Sequence, residues 1–284
     1  MKNEAKIPIL VIVGPTASGK TGLAIKLAKE RNGEVISADS RQVYKGLDIG
    51  TGKATNEEMD GIKHHLLDVA DPKKVFSVSD FQKLGRSTIL DIHSRGKLPI
   101  VAGGTGFYIQ ALVDGLVLPE VPPNKTLRKR LEKLSLPELL SELKALDEQR
   151  LLTVDTKNPV RIIRAIEIAE ALGKVPPLKS KTNYEPKFIG ISIEPEQLKV
   201  NIHHRLLARM KLGMVDEVRR LHENGLSWKR MEALGLEYRY IARFLQGKLS
   251  ETEMLEQLET AINQYAKRQM TWFKRDKRVE WIGL

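Results

Sequence analysis

A chain of 284 residues and 32.0 kDa, 41% hydrophobic and 29% charged, holds enough apolar sequence for one sizeable core plus a smaller attachment, which excludes disordered and fibrous classes. Its longest apolar run, 7–13, is interrupted by Pro8 and falls far short of the roughly 20 residues of a bilayer-spanning helix, while the lack of cysteine removes disulfide frameworks, thiolate zinc sites and cysteine nucleophiles together. Lysine plus arginine at 47 against 36 acids gives a net charge of +11, a balance that favours a polyanionic partner.

Residues 7–13 read as a buried strand and 20–31 as a helix, with Leu23, Ala24, Leu27 and Ala28 at helical spacing. Between them Gly14-Pro15-Thr16-Ala17-Ser18-Gly19-Lys20-Thr21 fits a phosphate-binding loop, with four residues between its glycines. The glycines let backbone amides face an anion, the helix N-terminus adds positive potential, Lys20 neutralises phosphate charge, and Thr21 can hold a magnesium ion. Because the first apolar run leads into this loop rather than a cleavage site, the chain is expected to stay in the cytoplasm, with no membrane contact. Residues 34–38 form a second strand that Asp39 closes. Ligands gather at the carboxyl ends of parallel strands, so this carboxylate lies near the phosphates, where it serves as a general base or as a turn cap. Both uses fit the spacing.

An amphipathic segment, 77–94, supplies the crossover to a third strand, 98–102. That strand runs into Gly103-Gly104-Thr105 and lacks the terminal aspartate of an NTP-hydrolysing protein, which argues against a motor-type ATPase. Strands alternating with helices predict an α/β fold, a P-loop NTPase-like parallel sheet flanked by helices. Leu118-Pro119-Glu120-Val121-Pro122-Pro123 breaks the pattern and opens a helical insertion domain, 119–187, whose far end is marked by Val175-Pro176-Pro177 and an exposed loop at 179–186. The core is then 1–118 with 188–284. Its second part reads as a strand at 188–193, a long helix at 195–223, a turn at Asn224-Gly225, more helix to 245, a final helix at 250–273 and a last strand at 279–282.

The final helix carries an apolar stripe of Met254, Leu258, Ile262, Tyr265 and Trp272, with Lys267, Thr271 and Lys274 on the opposite face. Six basic residues and one acid, Asp276, lie between Lys267 and Arg278; with the overall charge of +11 this run is read as a phosphate-contacting surface. Arg268 and Gln269 fall within or beside the stripe and are expected to make buried polar contacts. The histidines (His64, His65, His93, His203, His204, His222) lack the spaced partners of a zinc site and are assigned to no metal. His65 is read as an ordinary hydrogen-bonded histidine rather than a substrate contact.

Four segments together resemble the tRNA dimethylallyltransferases, also called tRNA isopentenyl-diphosphate transferases. They are Gly14 to Thr21, Asp39-Ser40-Arg41-Gln42-Val43-Tyr44-Lys45-Gly46-Leu47-Asp48-Ile49-Gly50-Thr51, Val101-Ala102-Gly103-Gly104-Thr105, and Lys267-Arg268-Gln269-Met270-Thr271-Trp272-Phe273. The resemblance implies transfer of a dimethylallyl group from dimethylallyl diphosphate to the exocyclic N6 amine of the adenosine 3′-adjacent to the anticodon in tRNA, with Mg2+ as cofactor. It implies that Gly14, Pro15, Thr16, Ala17, Ser18, Gly19, Lys20 and Thr21 hold the diphosphate, that Thr21 takes the magnesium, and that Asp39, Thr16 and Arg209 are catalytic, with Asp39 as base. Contacts to the tRNA anticodon arm are implied for Asp39, Ser40, Arg41, Gln42, Thr105, Arg128, Arg161, Arg164, Lys267, Arg268, Gln269, Thr271 and Lys274, the insertion gripping the arm. Val160 and Gly235-Leu236-Glu237-Tyr238-Arg239 depart from the family's pattern, and the insertion is compact for it. A monomer is the expected oligomeric state. An adenylate isopentenyltransferase acting on free nucleotide, a small-molecule kinase and an RNA-binding module with a relic loop are the alternative readings.

Overall fold

In β1 (Ile7–Val13), Ile9, Val11 and Val13 join one buried cluster and Leu10 and Ile12 another, so consecutive side chains alternate between two covered faces. A strand covered on both faces belongs inside a parallel sheet. The computed structural model, which describes residues 6–283, has five further strands: β2 (Gly33–Ser37), β3 (His64–His65), β4 (Leu98–Gly103), β5 (Tyr184–Ser192) and β6 (Val279–Gly283). All pairs are parallel, in the order β3-β2-β4-β1-β5-β6. Reversal of strand order beside β1 opens a crevice at the carboxyl ends of β1, β2 and β4.

The helices are α1 (Lys20–Glu30), α2 (Asn56–Met59), α3 (Val78–Ser94), α4 (Gly106–Val113), α5 (Lys125–Leu131), α6 (Leu136–Leu146), α7 (Glu148–Leu151), α8 (Pro159–Leu172), α9 (Pro195–Lys211), α10 (Met214–Glu223), α11 (Trp228–Leu234), α12 (Leu236–Leu245) and α13 (Glu251–Phe273). The chain divides into two units, Met1–Gly115 with Thr182–Leu284, and Leu116–Lys181. In the first, α1 covers one face of the sheet through Ala24, Leu27 and Ala28, while α3 and α4 cover the other through Phe81, Ile89, Ile92, Ile109 and Leu112. A third cluster joins the segment after β2, through Val43 and Leu47, to α9–α13, through Leu206, Met214, Met231, Tyr238 and Leu258. The second unit has its own core of Leu127, Leu131, Leu139, Leu143, Ile162 and Ile166.

Several sequence expectations move. β5 begins at Tyr184, inside the stretch read as a loop, and the second unit spans Leu116–Lys181 where 119–187 was expected. Pro186 hid the strand start, since proline donates no ladder hydrogen bond. It is accommodated because β6 pairs with β5 only from Phe188 onward, leaving the preceding residues at an edge. The single helix expected over 195–223 is two, α9 and α10, broken at Gly213, whose φ of 91° is left-handed. The buried stripe of α13 turns after Ile262 onto Ala266, Gln269 and Phe273, leaving Tyr265 and Trp272 half-buried. Arg268, expected in a buried contact, is exposed with its guanidinium 5.8 Å from the Tyr265 ring centre.

Candidate active site

The loop between β1 and α1 bends through Ala17 at φ 59° and Gly19 at φ 83°, the latter capping α1. A bend of this kind presents successive amides and the positive helix end to one point, which suits an anion. Lys20 is half-buried, donating to the Pro15 carbonyl and, at 3.5 Å, to Ser18 Oγ. Burial, then repulsion from Arg205, pulls its ammonium down to about 7 against the opposing pull of Asp39. One amide of the loop is already committed: Thr16 N donates at 2.8 Å to Gln269 Oε1.

The loop walls a cavity of about 520 Å3 with Ser37, Asp39 and Gln42 after β2, Thr51 and Gly52 further on, Gly103 and Gly104 after β4, Asn201 and Arg205 on α9, and Tyr265 and Gln269 on α13. Asp39 Oδ1 accepts from Arg41 N at 2.8 Å and Gln42 N at 3.4 Å, so it caps its own turn while facing the cavity. The exits of β2 and β4 are latched by Thr105, whose Oγ1 accepts from Ser40 N at 3.0 Å. Burial and the charge of Asp39 push the Tyr265 hydroxyl up to about 12. Gln269 Nε2 donates to the Gly104 carbonyl at 2.9 Å, and a Cβ at Gly104 would sit 2.2 Å from that nitrogen, so any side chain there would displace the Gln269 amide. Gln269 therefore ties the phosphate loop to the β4 exit by both ends of its amide.

The facing wall comes from α9, where Asn201, Arg205 and Arg209 recur four residues apart on one side. Asn201 Nδ2 lies 3.4 Å from the Ala17 carbonyl, and Arg205 Nη1 3.4 Å from Thr16 Oγ1. Burial and the neighbouring Arg209 pull Arg205 down to about 10, which leaves it charged at neutral pH. Arg205 lines the cavity; Arg209 stands one turn further along, buried, its Nη1 donating to the Gly50 carbonyl at 3.0 Å and to Glu237 at 3.1 Å, its Nε without a partner. Sequence reasoning picked Arg209 and passed over Arg205, Asn201 and Tyr265; the four-residue polar spacing marks one side of α9 but not which of its residues reaches the loop.

The other expected contacts are distributed. Arg41 donates to the Ala233 carbonyl at 3.0 Å, and Gln42 Nε2 to the Gly52 carbonyl at 3.2 Å. Lys267 and Thr271 on α13 and Lys274 at its C-terminal cap are exposed. Arg128 and Arg164 belong to the second unit, where both pair with the buried Glu167, while Arg161 pairs with Asp155 at 3.2 Å. Burial would raise the Glu167 carboxyl, but hydrogen bonds from Arg128, Arg164 and Asn124 N outweigh it and hold it at about 2. His65 Nε2 lies 2.7 Å from Glu34, while His64, not His65, lines the cavity.

An anion loop at a helix N-terminus, a carboxylate ending the next strand and an arginine from a facing helix, all on one cavity, define an α/β phosphate-loop enzyme for a phosphorylated substrate. The family model of the IPP transferases matches residues 42–276. A tRNA dimethylallyltransferase of Anoxybacillus flavithermus is 42% identical over 97% of this chain and 90% of its own, and tRNA dimethylallyltransferase 2 of Citrifermentans bemidjiense 46% identical over 99% and 94%. Among solved structures, the tRNA isopentenylpyrophosphate transferase of Bacillus halodurans superposes with a TM-score of 0.74 at 37% identity, covering 99% of this chain and 90% of that one. A eukaryotic dimethylallyltransferase acting on tRNA reaches a TM-score of 0.81 at 26% identity, over 98% and 74%. The chain belongs to the IPP transferase family.

Proposed function

We infer that the protein transfers a dimethylallyl group from dimethylallyl diphosphate to the exocyclic N6 amine of the adenosine 3′-adjacent to the anticodon in tRNA. The observation that carries the reading is the convergence of Lys20, Asp39 and Arg205 on one cavity, in a chain of this family. The allylic carbon–oxygen bond breaks with its electron pair leaving on the diphosphate, the amine nitrogen forms the new bond to carbon, and the amine proton passes to Asp39. Charge builds on the leaving diphosphate, where Lys20, Arg205, the loop amides and the Thr16 hydroxyl stand. An aryl amine is a weak nucleophile, and a carboxylate relieves the positive charge it acquires.

Magnesium keeps most of its waters and asks for one or two protein oxygens beside substrate phosphates. Thr21 lines the cavity and fits that demand, and no group of three or more His, Asp or Glu side chains able to hold a metal occurs among the described residues. Thr21 would hold the ion, which would supply further neutralisation of the diphosphate. The anticodon arm is the partner of the exposed Lys267, Thr271 and Lys274 and of the second unit. No helix among the described residues is long and apolar enough to cross a membrane.

Incubation with labelled dimethylallyl diphosphate, magnesium and either tRNA or AMP tests the reading. Label is expected in tRNA. Equal labelling of AMP would establish a free-nucleotide enzyme instead, and phosphate transfer from ATP without prenyl transfer a kinase.

A further inference from the structure

Between β2 and α2 the chain crosses Leu47–Gly52 without belonging to any strand or helix, yet three of its successive amides are paired by one side chain. Asp48 N and Ile49 N donate to Glu217 Oε2 at 3.0 and 2.7 Å, and Gly50 N donates to Glu217 Oε1 at 3.0 Å. Three successive N–H groups thus close on one carboxylate, the arrangement that the phosphate loop offers to a ligand, here filled by a side chain of α10. Glu217 is only 5% exposed, and Tyr238 Oη donates to its Oε1 at 2.7 Å. Tyr238 also presses the segment from the same side, since a Cβ on Gly50 would lie 2.7 Å from its ring.

The carbonyls of this segment are the ones that hold the arginines of α9. The Gly50 carbonyl accepts from Arg209, and the Gly52 carbonyl lies 3.4 Å from Arg205 Nη2 and 3.2 Å from Gln42 Nε2. Arg205 in turn reaches Thr16 of the phosphate loop. The segment is therefore clamped on its amide side by Glu217 and carries the cavity's arginine wall on its carbonyl side. A shift of the segment would move the guanidinium of Arg205 with it.

We propose that Glu217 is a positioning residue for diphosphate binding: it anchors residues 48–50, and through the Gly50 and Gly52 carbonyls fixes where Arg205 and Arg209 stand. This rests on the reading of the cavity as a diphosphate site. Glu217 itself is not among the cavity's lining residues, and no sequence motif considered above includes it.

Steady-state kinetics and pyrophosphate titration on Glu217→Gln, Gly50→Ala and Tyr238→Phe provide the test. Gln keeps one acceptor oxygen for Asp48 N and Ile49 N but turns an NH2 toward Gly50 N, which cannot accept. Glu217→Gln is expected to raise both KM for dimethylallyl diphosphate and Kd for inorganic pyrophosphate roughly tenfold, the scale of a lost charge-assisted hydrogen bond, with KM for tRNA little changed. Gly50→Ala, which displaces the same segment with Glu217 intact, is expected to shift the same two constants. Tyr238→Phe keeps all three amide bonds and is expected to leave them unmoved.

A purely structural role would lower the melting temperature and the active fraction while leaving KM and Kd at wild-type values in the folded protein. That result for both Glu217→Gln and Gly50→Ala overturns the proposal. Failure of wild-type protein to bind pyrophosphate or dimethylallyl diphosphate would overturn the diphosphate reading itself, and the proposal with it. Wild-type binding together with unshifted variants would sink the Glu217 proposal alone.

Discussion

Asp39 caps its own turn and faces the cavity at once, so the two uses compatible with its spacing can be separated by substitution. Asparagine retains the oxygen that accepts from Arg41 N and Gln42 N but has no basicity. Asp39→Asn is expected to lower the single-turnover rate by about 100- to 10,000-fold with tRNA and diphosphate affinities and the melting temperature held; a near-normal rate would leave Asp39 a turn cap only. Lys20 offers a second test through its proton. Its folded value of about 7 lies below the 10.5 of a free lysine, so between these pH values the unfolded chain binds the extra proton, and this residue's contribution to stability rises with pH across that window. A bound diphosphate favours the charged form. At about pH 8.5 binding should therefore draw in up to about one proton relative to Lys20→Met, and at about pH 6, where the ammonium is already charged, close to none. Pyrophosphate calorimetry in buffers of differing ionisation enthalpy measures this; equal uptake by both proteins at the higher pH would contradict it.

Elements differ in how much of their role their own sequence displays. The phosphate loop and Asp39 were legible because a few adjacent residues encode both their geometry and their chemistry. The two-residue β3 was not, being too short for any periodicity, nor was the break between α9 and α10, where one glycine in left-handed conformation ends an otherwise helical pattern. Which arginine of α9 reaches the phosphate loop is set by the distant segment around Gly50 and Gly52, and no spacing within α9 could distinguish Arg205 from Arg209. Gln269 was legible in part: its place beside the apolar stripe marks a buried polar contact, which it makes, but that its partners are the backbone of two distant loops is not written in the helix's own sequence. The carboxylate that pairs with Arg128 lies 39 residues away on α8, a partnership that no local pattern displays. Glu167 has 1% of its side chain exposed, so removing one partner leaves a buried carboxylate short of hydrogen bonds. Arg128→Ala, with Arg164 still in place, is expected to cost about 1–3 kcal/mol and to speed amide exchange around Ile162 and Ile166 in α8. Unaltered exchange there, with a large loss of tRNA affinity, would instead make Arg128 a direct RNA contact.

Across the whole molecule the charge of +11 sets the expected response to salt. Each phosphate of the tRNA that a lysine or arginine neutralises releases counterions, so affinity should fall linearly with salt on logarithmic axes, by about 0.7 to 0.9 in slope per contact. Some basic residues already have acidic partners within the chain. Arg128 and Arg164 share the one carboxylate of Glu167, and Arg278 pairs with Asp114 and Asp276, whereas Lys267 on α13 and Lys274 at its C-terminal cap are exposed with no ion pair among the described residues. Replacing these two lysines together by alanine is expected to lower the slope by about one to two units and to leave the melting temperature nearly unchanged, because neither belongs to the buried stripe of α13. Binding of AMP, a single phosphate at the Asp39 end of the cavity, should depend on salt hardly at all. Filter binding of tRNA at a series of salt concentrations gives both slopes directly. An unchanged slope in the double variant would remove this face of α13 from the tRNA interface, and the counterion release would then have to come from basic residues elsewhere on the chain.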